Sequence, residues 1–541
     1  MHISSLPDDI LFLVLEQAFN VSGSVKDNFK ENLKLLAICR TWRHAALTMV
    51  YENAFAICHN TESENQSNSS QELEYPSATT NVKLIISTGC VSIVKKAHIH
   101  VSFLMSPFPA FDVILSLLES AETWPKIRLL KVAMQSKYSS VYLQNIDMTS
   151  CAPNIENISN TMFRLIPNIS KVDLQGVMRD PISEALHGAL VNQYAENLEQ
   201  LVSKSTIALY QVLPFKKLKH VFIDFGSAQN CLLPSMLPEQ IESLRLFNGL
   251  GDSYWTAFVS PEDECDKIIF SNLKVINIAY SPRATAMLTN DSILHGGNGR
   301  VPKKLHFPAL EHLYVSSMTQ CCPLLEYSVL PSSLNSILIY GTAAVLRSIE
   351  HLQLPPAKHL LISLGFGSNR DTSIFTVINN LFANTGACEK VELHLNDMML
   401  PITKDAITCP NITHLRISVQ IHENVVLSLI STLHRLTKLE LHQIYGDVGQ
   451  EISIPETNEK ENAHKKPYKT NLKFLSIDYL PNIYPHDQAI CFLKDLLLRL
   501  PTLTRLSSRK TPSRPILDFI TACKPLYPHL EKLSVVLDNT N

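Results

Sequence analysis

The sequence predicts an α/β fold, with a helical module of about fifty residues followed by a long array of alternating parallel strands and helices. Two observations predict it. Residues 1–55 hold two apolar-periodic blocks with helix-capping signals, and an apolar frame, anchor-x-x-apolar-x-apolar, recurs about every 28 residues over most of the remaining chain. With 45% hydrophobic and 18% charged residues in a chain of 541, the composition is that of a folded protein with a large core. The formal net charge of −3 gives no electrostatic case for nucleic acid as a partner.

In the first block, "SSLPDDILFLVLEQAF", Ser5 caps a helix with Asp8 three residues on, Pro7 suits its first turn, and the aspartates sit where the helix dipole favours negative charge. Ile10, Leu11, Val14, Leu15 and Ala18 fall at helical spacing, with Phe12 and Leu13 apolar beside them. The second block opens near Asn28, with Glu31 in capping-box position, and places Leu35, Cys39, Trp42, Ala46 and Met49 on one face. Arg40, Arg43 and His44 mostly take the opposite, solvated side. So few residues cannot bury that much apolar surface alone, and a partner protein is implied.

"LPDDILFLVLEQ" followed by "LLAICRTWRHAA" resembles an F-box. The resemblance rests on Leu6, Pro7, Asp9, Ile10, Leu11, Val14 and Leu15, then Ile38, Cys39, Arg40, Trp42 and Arg43, and covers under a tenth of the chain. The spacer between the blocks is longer than is usual in the family by about two helical turns. F-box modules dock on the adaptor subunit of SCF-type cullin-RING ubiquitin ligases. The resemblance therefore implies that adaptor as partner, and through it the cullin, with Leu6, Pro7, Ile10, Leu11 and Leu15 at or near the interface and Cys39 and Trp42 packing the module.

Residues 56–82 read as a polar flexible linker, because "HNTESENQSNSSQELEYPSATT" is nearly free of core residues. Residues 83–541 read as the repeat array. Its anchors are Leu218, Ile241, Leu273, Leu310, Leu334, Ala357, Cys388, Ile412, Leu436, Leu472, Leu503 and Leu530, with fainter copies upstream from near Val94. The alternation makes each copy a short strand, and segments such as "FDVILSLLES" and "DQAICFLKDLLLRL" are helix-compatible. The region resembles the leucine-rich repeats that follow the F-box in many ubiquitin-ligase receptors. That implies an irregular solenoid with strands on a concave face and helices and loops on a convex one. The Asn or Cys expected after each strand is mostly missing, and the spacing wanders from about 20 to 37 residues, so irregular turns are expected.

Variable positions flanking each apolar pair point away from the core. They single out Phe222, Phe247, Tyr314 and Tyr340, aromatics that either anchor a target protein or lie under a neighbouring loop. Glu392, Arg416 and Glu440 occupy the centres of three successive repeats. They predict an alternating charge ladder flanked by Lys390, His414 and Lys438 on one side and His394 and His442 on the other, read either as a solvated structural ladder or as a patch that meets a target.

Other chemistry is disfavoured. "HGGNGR" at 295–300 has no G-x-S-x-G elbow to serve, and "GLGDSY" and "GFGSNR" lack a phosphate-loop lysine. His98 and His100 share a strand face but lack a third ligand and read as exposed histidines. Apart from Cys321-Cys322 the cysteines are scattered singly with no C-x-x-C pair, so no metal, no cofactor and free thiols are expected. The acidic N-terminus does not read as a secretory signal and no apolar run has membrane-spanning length, so no membrane partner is expected, and a cytoplasmic or nuclear location. The functional expectation is a non-catalytic substrate receptor of an SCF-type ligase. The alternative is an F-box and leucine-rich-repeat scaffold for protein–protein interaction outside any ligase.

Overall fold

The structure is a computed structural model. It describes residues 51–59, 77–103, 106–136, 148–176, 180–204, 215–224, 238–249, 267–280, 304–317, 328–341, 355–364, 388–395, 411–445, 467–479, 486–508 and 533–537, with isolated helical positions besides. The chain is α/β with large, mostly parallel sheet, and it divides into two compact units, Met1–Glu264 and Cys265–Asn541.

The first unit contains β1 (Asn53–His59), β2 (Ser77–Thr80), α1 (Val82–Ser87), β3 (Lys96–Phe103), α2 (Phe108–Glu119), β4 (Leu129–Ser136), α3 (Met148–Leu165), β5 (Lys171–Gln175), α4 (Pro181–Tyr194), β6 (Gln200–Ser203), β7 (His220–Asp224) and β8 (Ser243–Gly249). From β3 onward every strand pairs in parallel with the next in sequence; β1 joins β3 in parallel and takes β2 antiparallel on its other side. Among the described residues strand structure thus begins at Asn53, within residues whose polar surroundings read as the end of the helical module and the linker. The short run "NAFAIC" is responsible, burying Ala54, Phe55, Ala56 and Cys58.

Helices join the parallel strands and cover the core. In α2, Ala110, Phe111, Ile114, Leu115 and Leu118 are buried at helical spacing. The helix is followed by fully buried Trp124, whose indole N–H donates to the Leu118 carbonyl at 3.1 Å. Helix α2 packs on α3, and α3 on α4. Asp180 caps α4 by accepting from the backbone N–H groups of Ile182 and Ser183 and from the Ser183 hydroxyl. Burial pushes the Asp180 carboxyl up, and those hydrogen bonds offset part of the rise.

The second unit contains β9 (Lys267–Ile269), β10 (Val275–Tyr280), β11 (Lys304–His306), β12 (His312–Ser317), β13 (Ser328–Val329), β14 (Leu334–Gly341), β15 (Ala357–Leu364), β16 (Lys390–Leu395), β17 (His414–His422), α5 (Glu423–Thr432), β18 (Lys438–Tyr445), β19 (Phe474–Tyr479), α6 (His486–Arg499), β20 (Arg505–Ser508) and β21 (Ser534–Leu537). Strands β10, β12 and β14 through β21 pair in parallel in chain order, and β9, β11 and β13 form a separate parallel trio. Buried Phe270 and Phe307, just after β9 and β11, pack with ring centroids 5.2 Å apart.

The repeat frame is the core. Every anchor from Leu218 to Leu503 is buried, as are the paired positions Leu313 and Val315, Ile337 and Ile339, Leu360 and Ile362, Val391 and Leu393, and Leu415 and Ile417. These pairs stack on one another in register. At the last step the register shifts by two, so that Leu506 pairs with Val535 and not with Leu533; Leu530 lies outside the described residues.

The residue after most anchors performs a repeated task. Its carbonyl accepts from two consecutive N–H groups at the entrance of the following strand. Thr413 accepts from Thr437 at 2.8 Å and Lys438 at 3.0 Å, and Thr437 in turn accepts from Lys473 at 2.8 Å and Phe474 at 3.0 Å. Threonine side chains reinforce it, the hydroxyl of Thr437 donating to the Thr413 carbonyl at 2.9 Å. The same device appears at Glu52, Lys95, Arg128, Ser170, Glu199 and Lys219, so the frame extends back to anchor Tyr51, one copy before Val94. Among the described residues no helix is long and apolar enough to cross a membrane.

Because Leu360 is fully buried in mid-sheet while Leu361 points to the other face and is only half-buried, the two leucines should differ sharply on truncation. Leu360→Ala is expected to cost about 2–5 kcal/mol and Leu361→Ala less than half as much, measured by urea unfolding.

Candidate functional site

Strands β16 and β18 carry the same alternating triplet, Lys-x-Glu-x-His, as Lys390, Glu392, His394 and Lys438, Glu440, His442. Between them β17 carries His414, Arg416 and Ser418. The period of two puts each triplet on one sheet face, opposite the buried pairs. Register then aligns Lys390, His414 and Lys438 in one column and Glu392, Arg416 and Glu440 in the next.

Glu392 sits at the most enclosed point, 8% exposed. Lys390 donates to it at 2.5 Å, His359 of β15 lies 3.2 Å from one carboxylate oxygen, and His394 lies 3.3 Å from the other. Burial alone would raise this carboxyl; Lys390, His394 and His359 outweigh it and hold the group down to about 2. Glu440 repeats the arrangement with Lys438 at 2.7 Å and His414 at 3.3 Å, and is also held below the usual carboxylate range against the effect of burial. Burial, helped by the neighbouring lysines, lowers His359 and His414 despite their glutamate partners, so both imidazoles are neutral at pH 7. Arg416 lies 3.9 Å from each glutamate.

Next to the ladder is a shallow cleft of about 100 Å³ lined by Arg416, Ser418, Glu440, His442, Ser476 and Asp478, with His442 and Asp478 3.5 Å apart. On the column beside it Phe474 lies between two cations, Lys438 at 5.1 Å and Arg505 at 5.3 Å from its ring centre. Toward β12, the Tyr340 hydroxyl is pushed up by burial and by the nearby Glu392 carboxylate and Tyr314, so this tyrosine adjoins the ladder. Tyr340 is exposed, whereas Tyr314 is half-buried beside the stacked ring of His312, 6.3 Å between centres.

No family model matches the chain, and no curated protein matches it.

The structure thus brings Tyr314, Tyr340, Glu392, Arg416 and Glu440 onto one face of the second unit. Phe222 and Phe247 belong to the first unit, half-buried and stacked on each other at 5.1 Å. They are offset by two residues in register and share a face, Phe222 facing Arg245 and Phe247 facing Asp224. Leu6, Pro7, Ile10, Leu11, Leu15, Cys39 and Trp42 lie outside the described residues; of the surrounding segment, Phe29 packs edge-on against Tyr51 at 6.3 Å and Phe55 at 5.4 Å. His98 and His100 are half-buried, not exposed, and burial together with Lys131 and Lys96 lowers His98 to about 4. Among the described residues no three His, Cys, Asp or Glu side chains are grouped to hold a metal ion. His359, Ser476 and Asp478 were not singled out by sequence. His359 was legible all the same, since it stands two residues after anchor Ala357 as Lys390 does after Cys388.

The depressed Glu392 carboxyl contributes stability that is complete above about pH 4.5, its ordinary value, and is lost as pH falls through about 2. Glu392→Gln is expected to lower stability by up to about 3 kcal/mol at pH 7, and the gap to the parent protein should close on acidification toward pH 2, followed by urea unfolding across that range.

Proposed function

We propose that this protein is the substrate-recognition subunit of an SCF-type ubiquitin ligase. The observation that carries the reading is the two-block motif, Leu6-Pro7 with Ile10, Leu11 and Leu15, then Cys39 and Trp42, in a module too small to bury its own apolar face. Two features support it. Strands paired in parallel in chain order, on a frame that repeats about every 28 residues, suit a leucine-rich-like solenoid built to hold another protein. The face carrying Tyr340 and the Glu392–Arg416–Glu440 ladder turns charge and an exposed aromatic toward solvent, as a protein-binding surface requires.

In this role the chain makes and breaks no bond. The N-terminal module holds the adaptor, and through it the cullin, while the repeat face holds the target. Lysines of the target are then presented to a bound conjugating enzyme at high effective concentration. The location that fits is cytoplasmic or nuclear.

Trp42→Ala, a core truncation of about 3–5 kcal/mol within the module, is expected to abolish capture of the adaptor subunit, as is deletion of residues 1–55. Normal adaptor pull-down by either variant would overturn the proposal. Co-purification of the cullin with the intact chain separates a ligase receptor from a scaffold that uses the adaptor alone.

A further inference from the structure

The cleft beside the ladder has a charge pattern that selects its occupant. Each glutamate is neutralised inside its own strand, Glu392 by Lys390 at 2.5 Å and Glu440 by Lys438 at 2.7 Å. Arg416 stands between these two pairs at 3.9 Å from both carboxylates, beyond hydrogen-bonding distance, with its side chain 45% exposed. Neither ladder carboxylate hydrogen-bonds it, and its planar donor fork is open to solvent at the rim of the cleft. The hydroxyls of Ser418 and Ser476 line the same space. So do the carboxylates of Glu440 and Asp478, the latter against His442.

We propose that this cleft binds an aspartate or glutamate side chain of the target protein, with Arg416 as its bidentate partner and Ser418 and Ser476 as supporting donors. This rests on reading the face as the one that meets the target. A single negative charge matches one guanidinium. A phosphate, carrying nearly two charges, would meet only that one cation while facing Glu440 and Asp478 on the walls. The volume, about 100 Å³, has room for a carboxylate with its methylene.

Tyr340 supplies a second contact on the same sheet. From β14 to β17 there are three strand steps, about 14 Å at the usual parallel spacing. An extended peptide lying across the strands covers that distance in about four residues. The recognised segment is therefore an extended peptide with an acidic residue about four positions from an apolar one.

Selection of a randomised twelve-residue peptide library on the full-length protein tests this. Enrichment of Asp or Glu about four positions from an apolar residue is expected. Binding of the selected peptides should fall on the order of tenfold or more in Arg416→Gln. It should fall equally in Ser476→Asp, which places a carboxylate in the cleft from a second strand and decides the matter if Arg416→Gln lowers the melting midpoint. No acidic enrichment, full binding by Ser476→Asp, or preference for phosphoserine over aspartate in matched peptides would overturn the proposal. Adaptor pull-down on the same preparations keeps the two readings apart: acidic-peptide binding without adaptor capture removes the ligase role and leaves the cleft, and the reverse removes the cleft alone.

Discussion

One backbone carbonyl per repeat ties this fold together. The residue after most buried anchors offers its oxygen to two successive N–H groups of the next strand, at Lys274, Glu311, Glu389, Thr413, Thr437 and Lys473 in the second unit as in the first. Anchor burial and strand register thereby become one geometric condition. A slip of a single residue would expose every Leu, Ile and Val of the frame, so the condition is strongly enforced. Connections of very different length can lie between strands because only the strand entrance needs to be fixed. The asparagines and cysteines that leucine-rich repeats commonly use are mostly missing from the sequence, and at the entrances the main chain and the Thr413, Thr437 and Thr504 hydroxyls do the satisfying.

That register also decides the electrostatics of the solvent face. Two strands with identical Lys-x-Glu-x-His triplets, set side by side, would stack glutamate on glutamate and lysine on lysine. Strand β17 intervenes with His414 and Arg416, so neighbours in the central column alternate in sign and the two buried-leaning carboxylates are held two strands apart. The ladder is structural in this sense and still leaves one guanidinium facing outward. Packing constraint and surface chemistry are two readings of the same alignment.

Much of this is legible in the sequence, for a physical reason. Strong alternation around a buried pair, as in "LKFLSI" or "ITHLRI", leaves a short segment few other ways to hide its apolar atoms. The copies that went unnoticed are those with small or polar residues in the frame: Ala54 and Ala56 after Tyr51, and Ser203 after Leu198. The antiparallel β2 was read as linker because its strand character comes from pairing with β1 and not from its own residues, Ser77–Thr80. The charge ladder followed from register alone. The partnership of His442 with Asp478 was legible in the same way, since each stands six residues after its anchor, Leu436 or Leu472, and register sets the two side by side. His98 looked exposed because β1, which sets Phe55 beside it, is one of those unnoticed copies.

The pairing at the start of the sheet has a consequence for association. An open parallel edge offers unpaired N–H and C=O groups to any passing strand, including one from another copy of the same chain. Here β1 is occupied on both sides, by β3 and by the short polar β2. Asn81 closes the corner by accepting from Phe55 N–H and donating to the Asn53 carbonyl, both at 2.8 Å. Four polar residues and one amide thus cover the long apolar edge of β1 and put a short polar strand in its place, which offers an incoming strand far less to pair with.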